Sequence, residues 1–134
     1  MSIPPEVLEQ LQILLARSYS PYSKYAVAAI VRSKGGKLYG GTNVENAAYP
    51  LSRCAEQGAV LKMVADGETE IAEVWVMARA SDPGSPCGGC RQVLSEFGEP
   101  DTPVHCLNQH GQGKTLSLSE LLPYAFGPKY LSKL

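Results

Sequence analysis

LSRCAEQGAVLKMVADG, residues 51–67, decides how the rest of the chain is read. It contains no proline, and Leu51, Ala55, Ala59 and Met63 recur every fourth residue before Asp66-Gly67. That spacing predicts a helix over 51–65 with one buried stripe. Near its start a thiol, Cys54, and a carboxylate, Glu56, are separated by one alanine, and Gln57 follows. Strand-like runs lie on both sides. YAVAAIV (25–31) and LYGGTN (38–43) are joined by the turn SKGGK into a hairpin, and EVWVMAR (73–79) reads as a third strand. Pro4, Pro5 and the apolar residues Val7, Leu8, Leu11, Leu14 and Leu15 predict an opening helix up to about Arg17. CGGCRQVLSEFG (87–98) starts a short helix that ends at Gly98, and PVHCLN (103–108) is a further strand. TLSLSELLP (115–123) reads as a short strand and a helix capped by Ser119, with Glu120 in its first turn. Helices alternating with strands point to an α/β domain over 1–134, one mixed sheet with helices on both faces.

Bulk properties narrow the function classes. The chain has 134 residues, 44% hydrophobic and 19% charged, with a formal net charge of −1. A chain of this length buries a full core without covalent staples. No basic face announces nucleic acid, and no apolar run approaches a membrane span. The N-terminus has no basic leader, and Glu6, Glu9, Gln10 and Gln12 interrupt its apolar residues. A cytoplasmic protein is therefore expected, acting on a small ligand, with its four cysteines reduced.

Those cysteines carry the chemistry. Cys87 and Cys90 form a C-x-x-C, whose two sulfurs reach one tetrahedral metal. By itself the pair also fits a redox motif, Cys54 alone would be a small buried hydrophobe, and Glu56 alone a solvated helix residue. Together they fit a zinc site. Cys54 supplies a third ligand, and the fourth position stays open for water, the pattern of a catalytic zinc. The three thiolates lie near predicted helix starts, where N–H groups and the dipole offset negative charge. C-A-E followed by P-C-x-x-C is a known signature of zinc-dependent deaminases, in which the glutamate carries protons and is not a ligand. Cys106 and Trp75 are expected in the core, and His105 and His110 have no ligand-like spacing.

On these residues the sequence resembles the cytidine deaminase family, in its small homotetrameric class. The matching blocks are PYSKY (21–25), GTNVENAAYPLSRCAE (41–56), SPCGGCRQVLSEF (85–97) and ELLPYAF (120–126). The resemblance implies a three-layer α/β/α sandwich with a five-stranded mixed sheet. It implies hydrolytic deamination of cytidine and 2′-deoxycytidine in pyrimidine salvage, with one Zn2+ per chain held by Cys54, Cys87 and Cys90. Water attacks C4 of cytosine while Glu56 shuttles protons. Asn43 and Glu45 grip the ribose 3′-hydroxyl, and Tyr25 packs on the base. The N–H of Ala55 and the carbonyl of Ser85 hold the pyrimidine edge. Ala47 joins the substrate contacts, and Tyr49 and Phe126 reach a neighbouring subunit's site in a homotetramer. A modified cytosine nucleoside or a blasticidin-like drug is the alternative substrate. Three positions depart from the family pattern. Gln57 replaces an arginine that would offset thiolate charge, a task then left to Arg53 or Arg91. Val27-Ala28-Ala29-Ile30 replaces V-G-A-A, which is expected to narrow the floor of the site or the subunit contact. Ala48 replaces a serine.

Overall fold

The computed structural model describes residues 2–131. Helix α1 spans Pro5–Ala16, with proline in the first turn, where a missing N–H costs no hydrogen bond. Val7, Leu11 and Leu15 are its buried face. Strands β1 (Val27–Ser33) and β2 (Leu38–Thr42) form an antiparallel hairpin with Ile30 opposite Gly40. Gly36, at φ +90°, supplies the left-handed turn residue between them. The first strand begins at Val27, two residues later than the sequence suggests. Tyr25 bonds to side chains and not to a ladder: its N–H donates to Ser23 Oγ and its carbonyl accepts from Asn43 Nδ2.

Helix α2 spans Ala55–Ala65 with Cys54 as its N-cap, so it starts later than 51. Tyr49–Leu51 forms a separate turn of 3-10 helix, and a bridge between Val44 and Arg53 pulls the next residues into extended conformation. Leu51, predicted on the buried stripe, is therefore 59% exposed, whereas Ala55, Ala59 and Met63 are buried. Strand β3 (Ile71–Ala78), helix α3 (Gly88–Phe97), strands β4 (Pro103–Leu107) and β5 (Gly113–Ser117) and helix α4 (Leu118–Leu121) complete the regular elements. The cap of α4 is Ser117, not Ser119. Ser117 Oγ accepts from Glu120 N–H at 3.1 Å, and Glu120 Oε1 accepts from Ser117 N–H at 2.9 Å. This reciprocal pair satisfies two donors at once.

The sheet order is β2-β1-β3-β4-β5, with β3 and β4 parallel and the other neighbours antiparallel. Two apolar layers sandwich it. Val7, Leu11, Leu15, Ala28, Ile30, Trp75, Met77 and Leu107 pack between the sheet and α1. Ala29, Val31, Ala59, Met63, Val76, Leu94 and Cys106 pack beneath α2 and α3. A fully buried side chain such as Met63 or Leu94 contributes about 1.5–3 kcal/mol. The added bulk at Ala28 and Ile30 thus faces α1. It does not narrow the floor of the site, because strand alternation points it to the other layer.

This topology places the functional end. Strands β2 and β3 are both antiparallel to β1, so they run the same way, and the helices that follow them start at one end of the sheet. Helix α2 lies on β2 at a glycine contact. A Cβ on Gly41 would come 2.3 Å from Ala55 O and 2.6 Å from Ala59 N, and Gly58 faces Gly41 across the contact. That close approach fixes where α2 begins. Among the described residues, no helix is long and apolar enough to cross a membrane.

Candidate metal centre and substrate cleft

Cys54 caps α2 and Cys87 caps α3, and Cys90 is the third residue of α3. The converging helix starts bring Cys54 Sγ within 3.8 Å of Cys87 Sγ, and all three sulfurs lie within 4.8 Å of one another. Zinc at the usual distance of about 2.3 Å from each thiolate spaces tetrahedral ligands about 3.8 Å apart. The trio therefore fits a zinc ion, and it is the one such group among the described residues.

Helix ends also supply the compensating dipoles. Cys87 Sγ accepts from Cys90 N–H at 3.4 Å, and Cys54 Sγ accepts from the Gln57 N–H. Gln57 Oε1 in turn accepts from Cys54 N–H at 3.3 Å. The glutamine thus closes a capping box on Cys54. Hydrogen bonding from Cys90 brings the Cys54 thiol down to about 6; burial opposes this, and Cys87 and the Arg53 charge assist. Cys90 moves up, as the proton donor to Cys54 in a buried position beside the Glu56 charge. Arg91 is committed elsewhere: it donates to Pro86 O at 2.8 Å, Leu121 O at 2.9 Å and Ser85 Oγ at 2.8 Å, which ties the loop before α3 to α4. Arg53 donates to Pro50 O and Ser52 O and lines the cleft beside Cys54.

Glu56 is 3% exposed, on the first turn of α2. Burial pushes its carboxyl up to about 7, and the Cys54 charge adds to this, against hydrogen bonds from its own backbone N–H and from Cys90. A carboxyl in this range both accepts and releases a proton near neutrality.

Above these groups opens a cleft of about 290 Å³. Cys54, Cys87, Glu56, Ala55 and Ser85 line one end, and Tyr25, Asn43, Glu45 and Ser23 line the other. The first intrahelical bond of α2 runs from Gly58 N–H to Cys54 O at 3.2 Å, so the Ala55 N–H has no intrahelical acceptor. Glu45 Oε1 accepts from the N–H groups of Tyr22 and Ser23, both at 3.0 Å, and Oε2 accepts from Ser23 Oγ. The Ser23 hydrogen bonds hold its carboxyl below the usual range. Tyr25 sits on the rim, 46% exposed.

Three residues expected at the site lie outside this cleft. Ala47 is exposed in the turn before Tyr49. Tyr49 packs against Tyr22 at 5.6 Å and lines an adjoining groove with Glu45 and Ser23. Phe126, 57% exposed, stacks on Tyr130 at 5.4 Å in a separate groove near the C-terminal segment. The sequence reading missed Ser23 and the capping role of Gln57. Their only sequence signs are a hydroxyl two residues before Tyr25 and an amide three residues after Cys54. Trp75 and Cys106 are buried as expected. His105 is away from the cleft, with Nε2 2.6 Å from Glu73 Oε2 and Nδ1 2.7 Å from Thr115 Oγ1.

Residues 2–106 match the family described as the cytidine and deoxycytidylate deaminase zinc-binding region. The chain is 40% identical over 116 residues to a cytidine deaminase of Sporosarcina psychrophila, covering 87% of this chain and 85% of that one. It is 40% identical over 109 residues to a cytidine deaminase of Halalkalibacterium halodurans, covering 81% and 83%. The crystal structure of cytidine deaminase from Burkholderia pseudomallei superposes with a TM-score of 0.85 at 36% identity, over 92% of this chain and all of that one.

Proposed function

The chain belongs to the cytidine and deoxycytidylate deaminase family, and from that premise we propose that it is a zinc-dependent cytidine deaminase. It converts cytidine and 2′-deoxycytidine, with water, to uridine and 2′-deoxyuridine and ammonia. The observation that carries this reading is the juxtaposition, in one cleft, of three convergent thiols, a buried carboxyl and an amide–carboxylate pair.

Cys54, Cys87 and Cys90 hold the metal. When bound there, zinc supplies a water acidic enough to act as a nucleophile near neutral pH. Glu56, with its raised carboxyl range, takes a proton from the attacking water and delivers it to N3 of the ring. It then carries a second proton to the exocyclic amine, which leaves as ammonia. Its burial keeps bulk water from competing for these protons. The Ala55 N–H and Ser85 carbonyl face the pyrimidine edge, and Tyr25 packs on the base. Asn43 and Glu45 hold the sugar hydroxyl, and an amide donor with a carboxylate acceptor suits a group that both accepts and donates.

In this reading Ala47 joins the substrate contacts, and Tyr49 and Phe126 act from a neighbouring chain, in a homotetramer whose sites are completed across subunit interfaces. Their exposure within one chain supports it. The 134 residues work as a single domain, in the cytoplasm, in pyrimidine salvage. Incubating the zinc-loaded protein with cytidine and following uridine and ammonia tests the activity. Stoichiometric uridine and ammonia are expected; zinc-replete protein without turnover overturns the reading. Light scattering on the same sample gives the mass, which is expected to be four chains.

A further inference from the structure

Asn43 makes more hydrogen bonds to its own chain than a side chain that only meets a substrate requires. Its Oδ1 accepts from Val27 N–H at 2.9 Å and from Ser18 Oγ at 2.5 Å, and its Nδ2 donates to Tyr25 O at 2.8 Å. An amide oxygen only accepts, and a serine hydroxyl has one proton to give. Ser18 Oγ faces two acceptors, and its one proton goes to the nearer, Asn43 Oδ1. Ser20 Oγ, at 3.1 Å, is the farther of the two. Val27 N–H and Ser18 Oγ together occupy both lone pairs of Asn43 Oδ1. Nδ2 has two protons, and Tyr25 O takes one. Among the described residues no acceptor takes the other, and Asn43 lines the cleft.

Glu45 presents the opposite character at the same end. It is an ionised acceptor whose Oε1 is filled by two backbone N–H groups, while Oε2 accepts only from Ser23 Oγ. The cleft thus offers one donor and one acceptor, the complement of a single hydroxyl. If the Asn43 amide flipped, two acceptors would face the same hydroxyl, and its oxygen would meet another oxygen.

We propose that Ser18, which does not line the cleft, is a positioning residue that locks the Asn43 amide with its N–H toward the sugar, so that the site selects a hydroxyl there. The proposal rests on the reading of Asn43 and Glu45 as the sugar grip. Val27 and Tyr25 favour the same orientation from the backbone. Loss of Ser18 therefore leaves a weakened lock on a half-satisfied oxygen, not a free rotor.

Steady-state kinetics on the zinc-loaded enzyme with cytidine and 3′-deoxycytidine test it. For Ser18→Ala, KM for cytidine is expected to rise roughly 3- to 10-fold with kcat little changed, the scale of one neutral hydrogen bond. KM for 3′-deoxycytidine, which lacks the hydroxyl, should not move. Ser18→Thr keeps the hydroxyl and should restore KM, whereas Ser18→Val, of the same shape, should not; this pair carries the comparison if Ser18→Ala folds poorly. Asn43→Ala separates the two levels. If it leaves KM for cytidine unchanged, the sugar-grip reading fails. If it raises KM for cytidine while Ser18→Ala and Ser18→Val do not, the positioning role alone fails. Equal rises for both substrates in the Ser18 variants would mean general loosening and would also overturn it.

Discussion

The two ends of the cleft are built by different means. At the metal end, Cys54, Cys87 and Cys90 are placed by two helix starts, which are held by packing: Gly41 against α2, and Leu94 and Met63 in the layer below. At the end proposed to take the sugar, here called the sugar end, Asn43 and Glu45 lie between elements and are placed by hydrogen bonds to residues 18–27. The metal end is fixed by the core, and the sugar end by polar contacts between loops far apart in sequence. Damage to the first should abolish chemistry, and damage to the second should weaken binding.

The largest expected effect follows from removing the metal end. Cys87→Ala, or stripping metal with a chelator, should reduce uridine formation to background. Returning zinc should restore the chelated wild type and not the variant, as assays with metal analysis would register. Next comes the sugar end. Glu45→Gln keeps the shape but loses the charged acceptor, so KM for cytidine should rise roughly 10- to 100-fold, the range for a hydrogen bond to a charged group, with kcat changed far less. If kcat fell with KM unchanged, the division of labour between the ends would be wrong.

A smaller effect tests whether packing sets the metal end. Gly41→Ala forces a Cβ against Ala55 O and Ala59 N, whereas a Cβ on Gly58 meets only Gly41 Cα at 3.6 Å, an ordinary contact. Gly41→Ala should cost about 1–3 kcal/mol in urea unfolding and weaken zinc binding, because α2 must shift with its cap. Gly58→Ala should do neither. The smallest effect is a pH dependence at the sugar end. The folded Glu45 carboxyl titrates below its ordinary value of 4.5. Its contribution to stability is therefore fully present above that value and is lost as pH falls through the lower folded range. The melting-temperature gap between wild type and Glu45→Gln should be full near neutrality and shrink in acid.

The same contrast explains what the sequence made legible. C-A-E and P-C-x-x-C are local patterns close to two predicted helix starts, and that was enough to bring three thiols together, as they are in the structure. The alternation of strands and helices likewise yields one mixed sheet, and the five strands that the resemblance implies are all in it. Elements whose ends depend on distant partners were misread. Tyr25 leaves the strand because Asn43 and Ser23 take its backbone groups, and Leu51 leaves the helix because Val44 bridges to Arg53. Ser119 lost the cap to Ser117, since either serine fits the pattern and only the reciprocal bond with Glu120 chooses. Gln57 read as a missing charge, whereas its amide caps the helix that carries Cys54. The amide lock on Asn43 joins residues 25 apart in sequence and leaves no periodic trace.

In the proposed reaction the buried carboxyl beside the three thiols moves the protons and is not itself a ligand. Glu56→Gln measures this most directly, by metal content and turnover on one preparation. One zinc per chain is expected, as in the wild type, with kcat for cytidine reduced by about 10²- to 10⁴-fold or more. Retained turnover, or loss of the zinc together with activity, would contradict it.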